Sequence, residues 1–342
     1  MIQLLRYLLF PIAVIYGWIT AIRNLLFDYG VLKSYSFDIP IIAVGNLSTG
    51  GTGKTPQIEY LIRLLSTKYN VATLSRGYKR KSKGFILADE KCNAASLGDE
   101  PYQFYKKFPK IQVAVDADRK NGIEKLLQST KKPQIILLDD AFQHRKVKAG
   151  FYILLSTYSD LYATDFMLPT GNLREYRKNA CRADVIIITK CPKEISKTEQ
   201  EKITKLLKIS DLQKVFFSRI DFEDTIYSNS NSISVSEISN QPKLLLAGIA
   251  NPRSFFDFLK NKSDITLTFS DHHHFSEKDI ENIRQKAKNH RIITTEKDYV
   301  RLADKLPKEQ LYYLPIKSAF VNNGDVFDTI ILNYVESSSR NS

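Results

Sequence analysis

Residues Ile41-Ile42-Ala43-Val44-Gly45-Asn46-Leu47-Ser48-Thr49-Gly50-Gly51-Thr52-Gly53-Lys54-Thr55-Pro56 constrain the fold of this chain more than any other stretch. An apolar, β-prone run feeds a loop of Gly, Ser and Thr, and the loop ends in Gly-Lys-Thr just before an amphipathic segment, Ile58 to Leu65. Strand, loop and helix in that order form a phosphate cradle. Successive backbone N–H groups from Ser48, Thr49, Gly50, Gly51, Thr52 and Gly53 converge on one anion, and the helix N-terminus adds its partial positive charge. Lys54 then reaches the terminal phosphates and Thr55 offers its hydroxyl to Mg²⁺. The strict pattern places Gly five residues before Gly53, where this chain has Ser48, so the loop is a variant. An ordinary Gly-rich turn would leave the Lys-Thr pair unexplained.

Beyond the cradle, strand-like apolar runs at Val71 to Leu74, Ile111 to Val115, Ile135 to Leu138, Tyr152 to Leu155 and Val185 to Thr189 alternate with helical stretches. Those helices are expected near 101–108, 119–129, 173–181 and 197–207. Such alternation predicts an α/β fold: a P-loop NTPase-like, mostly parallel sheet flanked by helices, with ligands at the carboxyl ends of the strands. A Ser/Asn-rich passage, Tyr227 to Asn240, marks a boundary, and a second set of strands follows at Leu244 to Ile249, Ile265 to Phe269, Ile292 to Thr295 and Tyr312 to Pro315. The expected organisation is therefore an N-terminal helix over 1–30, a core over 31–226, a smaller α/β domain over 227–335 and a disordered tail over 336–342. Length supports this, since 342 residues at 43% hydrophobic have room for two α/β domains.

The N-terminal segment Tyr7 to Ile22 carries no charge, contains Pro11 and spreads Tyr7, Phe10, Tyr16 and Trp18 along its length. It is short for a transmembrane helix, and no small-residue cleavage site follows it. The favoured reading is a helix lying in or dipping into a membrane interface; a single crossing and a helix packed on the domain remain alternatives. A formal charge of +13 favours an anionic partner without choosing among nucleotide, phosphorylated substrate, nucleic acid and acidic lipid. Cys92, Cys181 and Cys191 are scattered and lack ligand spacing, which argues reduced thiols, a cytoplasmic setting and no structural zinc.

Several motifs can carry chemistry. Ile135-Ile136-Leu137-Leu138-Asp139-Asp140 is an apolar strand ending in two carboxylates, where a cradle protein anchors Mg²⁺ or the water it holds. Ala141-Phe142-Gln143-His144-Arg145 follows, with His144 read as an orienting group. Gly98-Asp99-Glu100-Pro101 reads, on residues alone, as helix capping. Three of the five histidines are consecutive in Asp271-His272-His273-His274-Phe275. Consecutive side chains do not easily share one metal ion, so a histidine in acid/base work, oriented by a carboxylate, is the favoured role. The basic run Ser75 to Gly84, which includes Arg76 and Tyr78, suits a phosphorylated substrate, acidic lipid or nucleic acid. Arg119 lies after the third strand, and Arg174 lies in a loop from Leu168 to Glu175. Thr189-Lys190-Cys191-Pro192 lacks the carboxylate of a guanine-reading motif, so ATP is expected.

Taken in order, the cradle, Leu74-Ser75-Arg76-Gly77-Tyr78, Gly98-Asp99-Glu100-Pro101, Asp139-Asp140-Ala141-Phe142-Gln143-His144, Leu168-Pro169-Thr170-Gly171-Asn172-Leu173-Arg174-Glu175, Asp271-His272 and Thr295-Glu296-Lys297-Asp298 resemble the tetraacyldisaccharide 4′-kinase family. The resemblance runs to about residue 302; Ala141 stands where many members carry Gly. It implies transfer of the ATP γ-phosphoryl group to the 4′-hydroxyl of a tetraacylated glucosamine disaccharide 1-phosphate, the lipid A precursor. The cytoplasmic face of the bacterial inner membrane, with its anionic surface, is the implied location. By the same resemblance Asp99 and His272 form a dyad, with Asp99 taking the hydroxyl proton. Lys54 and Thr55 hold phosphates and Mg²⁺, and Asp139 and Asp140 serve the metal and the nucleophile. Asn46, Arg76, Tyr78, Arg119, Gln143, Arg174 and Glu175 are implied for the substrate. A monomer without nucleic acid is expected; an ATPase, a nucleic-acid-stimulated motor or a nucleotide-dependent membrane switch on the same cradle are the alternatives.

Overall fold

The computed structural model describes residues 6–229, 231–271 and 273–340. The first strand, β1 (Ile41–Asn46), is apolar throughout because it is covered on both faces: Ile42 and Val44 point into one core, Ile41 and Ala43 into another. Around it lie β2 (Val71–Ser75), β3 (Ile86–Leu87), β4 (Gln112–Val115), β5 (Ile135–Asp139), β6 (Phe151–Thr157), β7 (Val185–Thr189) and β8 (Lys214–Phe222). With β15 (Ile316–Phe320) they form a nine-stranded sheet in the order β15-β8-β7-β6-β1-β5-β2-β4-β3. Pairing is parallel from β8 through β4, and the two edge strands β15 and β3 run antiparallel.

Helices cover both faces, as parallel strands require. The chain-order helices are α1 (Phe10–Asp28), α2 (Lys54–Leu65), α3 (Asp99–Lys107), α4 (Arg119–Leu127) and α5 (Lys197–Leu207). Those of the second unit are α6 (Arg253–Leu259), α7 (Glu277–Ala287) and α8 (Glu296–Leu302), and the last helix is α9 (Gly324–Arg340). Helix α2 repeats apolar residues at helical spacing, so Ile58, Leu61, Ile62 and Leu65 all bury fully. Each contributes about 1.5–3 kcal/mol by leaving water. The same core takes Phe104 of α3 and Phe327, Ile331 and Val335 of α9, whereas α4 and α5 pack on the opposite face.

A six-stranded second sheet runs β10-β9-β14-β13-β11-β12, using β9 (Thr225–Tyr227), β10 (Ser232–Ser234), β11 (Lys243–Ala247), β12 (Ile265–Thr268), β13 (Arg291–Thr295) and β14 (Leu311–Leu314). Its four later strands are parallel, with α7 and α8 over one core and α6 over the other.

Four expectations need correction. The second unit does not run to 335, because β15 pairs with β8 in the first sheet and α9 buries its apolar face there. The expected boundary at 226/227 falls inside β9. The tail expected over 336–342 is helical as far as Arg340, since α9 continues past its last buried anchor, Val335. The helix expected over 173–181 is instead a loop followed by a 3₁₀ turn, Arg177–Arg182, because Leu173 and Arg174 bridge to the cradle through their backbones.

Helix α1 packs through a narrow seam, burying Ala13, Gly17 and Asn24. A Cβ at Gly17 would overlap the Tyr176 hydroxyl, so glycine permits the close approach. The remaining surface is apolar and open: Phe10, Ile12, Ile15, Trp18, Ile19, Ile22 and Leu25 are exposed, Trp18 by 63%. At 19 residues and mean hydropathy 1.4, the helix is long and apolar enough to cross a membrane by length and composition.

Candidate active site

The cradle joins β1 to α2, and Gly53 caps α2 with φ 85°, a left-handed conformation that favours glycine. Neighbouring segments brace the loop. The Thr189 hydroxyl donates to the Thr52 carbonyl at 2.8 Å, and the Thr49 N–H donates to the Asn172 carbonyl at 2.8 Å. Lys54 lies in the first turn with Nζ 3.3 Å from Asn46 Oδ1 and 3.6 Å from Asp140 Oδ1. Thr55 follows it on the same turn.

Strand β5 delivers Asp139 and Asp140 beside this ammonium. Their environments push them in opposite directions. Burial, and then the charge of Asp140, push Asp139 up to about 6, and Glu100 adds to the rise. Burial also raises Asp140, but Lys54 and Arg174 outweigh it and hold that carboxyl below its ordinary value. Arg119 is buried behind the pair, donating to the Asp116 carbonyl at 2.9 Å and the Asp139 carbonyl at 3.3 Å. Burial pulls its guanidinium down to about 10.

Two carboxylates beside a threonine suit Mg²⁺, which keeps several waters and shares substrate phosphates instead of filling an all-protein cage. Asp139, buried next to a second anion, is the kind of group that a divalent cation relieves.

The loop from Leu168 to Glu175 closes the site from above. Arg174 donates to Asp140 Oδ1 at 3.0 Å and to the Asn46 carbonyl at 2.9 Å, and also meets the Asn46 side chain. Gln143 donates to the Asn46 carbonyl at 2.8 Å and to Glu175 at 3.0 Å. Glu175, buried, also accepts from Arg182 at 2.7 Å and from Asn24 of α1 at 2.9 Å. In this region Thr52 Oγ1, Arg119 Nε, Gln143 Oε1 and Arg174 Nε are buried without a protein hydrogen-bond partner. Unpaired buried donors and acceptors mark where a polar ligand or water completes the network.

Residues 5–336 match the sequence profile of the family described as Tetraacyldisaccharide-1-P 4′-kinase. The chain belongs to the tetraacyldisaccharide 4′-kinase family. The tetraacyldisaccharide 4′-kinase of Flavobacterium johnsoniae is 64% identical, covering 98% of each chain. That of Bacteroides thetaiotaomicron is 44% identical over 98% of this chain and 94% of its own. Among solved structures, "apo" form LpxK from Aquifex aeolicus in complex with ATP superposes with TM-score 0.78 at 29% identity, covering 97% of this chain and 99% of that one.

Against the family's motif set, the fold gathers Asn46, Lys54, Thr55, Arg119, Asp139, Asp140, Gln143, Arg174 and Glu175 around one centre. Arg76 and Tyr78 instead line a neighbouring cleft of about 370 Å³ with Gly77, Arg80, Lys83 and Ala117. Asp99 opens α3 and is ion-paired with Arg301 of α8. His272 lies outside the described residues. Its neighbour His273 sits 3.1 Å from Asp279 Oδ2 in the cap of α7. His144 has its imidazole pushed down to about 4, first by burial and then by Arg119, so it is neutral at physiological pH. That fits an orienting group and not a cation.

Sequence reasoning missed contributors in three places. Asn24 and Tyr16 of α1 reach Glu175 and the Arg174 carbonyl, polar residues within an apolar helix that signal a site contact. Lys190 follows Thr189 at the end of β7, and a Cβ on Gly51 would lie 3.9 Å from its Nζ. Burial, and then Lys297, hold its ammonium below the ordinary lysine value. Arg301, the third, carried no motif signal of its own.

Proposed function

We propose that this protein transfers the γ-phosphoryl group of ATP to the 4′-hydroxyl of tetraacyldisaccharide 1-phosphate, at the cytoplasmic face of the bacterial inner membrane. One observation carries the reading: the phosphate cradle and an exposed apolar helix share a single hydrogen-bonded loop. Asn24 of α1 binds Glu175, and Arg174 next to it binds Asp140 and Asn46. A hydroxyl on a lipid held at α1 therefore meets the cradle through residues that touch both.

In this reading the P–O bond between the β- and γ-phosphates breaks and a bond forms from the γ-phosphorus to the sugar oxygen. Asp99 accepts the hydroxyl proton, with His272 as its partner in the dyad, and ADP leaves. Lys54 and the loop from Ser48 to Gly53 hold the phosphates, Arg174 neutralises charge near the transferring group, and Asn46, Arg76, Tyr78, Arg119, Gln143 and Glu175 position the acceptor. Asp139, Asp140 and Thr55 would hold Mg²⁺, which supplies charge neutralisation across the β- and γ-phosphates. Little covalent chemistry falls to the protein in such a transfer, so positioning and electrostatics dominate. A monomer suffices, because every group invoked comes from one chain.

The test is transfer of ³²P from γ-labelled ATP to tetraacyldisaccharide 1-phosphate in detergent micelles with Mg²⁺, beside Asp99→Ala and His272→Ala. Labelled lipid from the natural sequence and strong loss in both variants supports the proposal. ATP hydrolysis without labelled lipid would instead favour an ATPase or a nucleotide-dependent membrane switch.

A further inference from the structure

The segment Thr295-Glu296-Lys297-Asp298 is among the family's motifs, yet the chemistry above gives it no task. Its geometry gives it one. Helix α8 begins at Glu296 and lies against α3, the helix whose first residue is Asp99. Two of its three charged side chains have a counterpart on α3. Glu296 accepts from Lys107 at 2.6 Å, and Lys297 lies 3.7 Å from Glu100. Asp298 is fully buried, accepting from the Gly248 N–H at 2.8 Å and the Thr295 hydroxyl at 2.7 Å, and lies 3.9 Å from Arg301. Arg301, one helical turn on, donates through Nε to Asp99 Oδ2 at 3.1 Å and pairs with it through a second guanidinium nitrogen as well.

From this geometry we infer that Arg301 is a positioning residue for Asp99, holding the proton-accepting carboxylate in place and aimed from the second structural unit. This rests on the reading of Asp99 as the proton acceptor. A two-nitrogen contact to one carboxylate fixes direction as well as distance. Arg301 is anchored in turn, through Asp298, to the backbone at Gly248 and the cap of α8. The end of α3 is close enough to the acidic pair for Glu100 to be felt at Asp139. A slight drift of Asp99 therefore changes its reach to the acceptor.

In a loose phosphoryl transfer the nucleophile bond forms late, so placement counts for more than basicity. Around the Asp99 contact lie Arg301, Asp298 and Lys297 of α8 and Glu100 next to Asp99 on α3. Of these, Arg301 makes the direct contact.

The test compares Arg301→Gln and Arg301→Lys with the natural sequence in the lipid-transfer assay, after thermal melts and ATP-binding titrations. Arg301→Gln is expected to lower kcat about 10- to 100-fold with KM for ATP nearly unchanged. Arg301→Lys, which keeps the charge and loses the guanidinium, should restore only part of kcat. In an Asp99→Asn background, Arg301→Gln should add no further loss. An unchanged kcat, a kcat in Arg301→Lys no higher than in Arg301→Gln, or full additivity with Asp99→Asn overturns the inference. Full turnover in Asp99→Asn alone would overturn the earlier reading of Asp99 instead, so the two failures are distinguishable.

Discussion

Lys107 offers the sharpest test of how the two sheets are held together. Its ammonium sits 2.7 Å from Glu59 of α2 and 2.6 Å from Glu296 at the start of α8, joining three helices in one buried cluster. Both carboxylates are almost fully buried. Burial is the first influence on each: it pushes Glu59 up and Glu296 up to about 7, while it lowers Lys107, whose two anions more than reverse the effect. At an effective dielectric of about 20, each contact carries roughly 6 kcal/mol of attraction, most of which offsets desolvation of the three charges. Lys107→Met removes that attraction but leaves both carboxylates buried, and breaking a buried ion pair this way costs about 3–5 kcal/mol. The deficit has a pH signature. Without the cation, the folded variant takes up about one proton that the unfolded chain, at an ordinary 4.5, does not hold. Stability is therefore regained as pH falls from the raised folded value toward 4.5, by about 1.4 kcal/mol per unit per proton. Urea unfolding followed by far-UV circular dichroism at pH 8 and pH 6 measures it. A loss under about 1 kcal/mol at pH 8, or a gap that widens on acidification, refutes the argument. The triple variant Lys107→Met, Glu59→Gln, Glu296→Gln should recover most of the loss.

Lys54→Ala is expected to lower turnover at least about 100-fold in the lipid-transfer assay, since the cation beside Asp140 and the cradle is lost; near-normal turnover in a folded variant would remove Lys54 from the site. His144, held neutral near 4 by burial and Arg119, contributes stability that is present above about 6.5 and lost as pH falls from there toward 4. After allowance for partial exposure that amounts to about 1–2 kcal/mol, and His144→Gln should abolish this segment of the pH–stability curve; an unaltered curve would contradict it. Replacing Ile15, Trp18 and Ile22 together by Ser should weaken partition to anionic vesicles about 100-fold or more, from roughly 3 kcal/mol of lost apolar burial. ATP affinity should not change, and unchanged vesicle flotation would refute a membrane role for this face.

The cradle was legible because its residues are consecutive, so spacing alone conveys strand, loop and helix. Asp139 and Asp140 were legible for a related reason: a buried strand that ends in two charges has to place them at the sheet's ligand edge. Strands β8 and β15 escaped, because β15 is an edge strand and residues 218–222 of β8 pair with β15 alone, so polar residues such as Arg219, Asp221 and Lys317 are tolerated and the apolar pattern breaks. The loop before Arg177 was misjudged as helix for the converse reason. Its residues have ordinary helical propensity, but the backbone groups of Leu173 and Arg174 find partners on the cradle instead.

Arg301 shows where local reading runs out. Asp99 before Glu100 and Pro101 has every mark of a helix cap, and it does open α3. What distinguishes it from a cap is a guanidinium 202 residues further along the chain, brought to it because β13 ends in Thr295 and α8 starts at once. The same helix sends Glu296 to Lys107 and Lys297 toward Glu100, so the second sheet meets the first through charges as well as through the stacked Phe222 and Phe258 rings. An apolar seam would tolerate sliding by an ångström at little cost, whereas a fork on a carboxylate does not. A charged junction of this kind fixes the placement of α3, and with it Asp99, to the position of the second unit, so a movement of that unit would also move the proton acceptor.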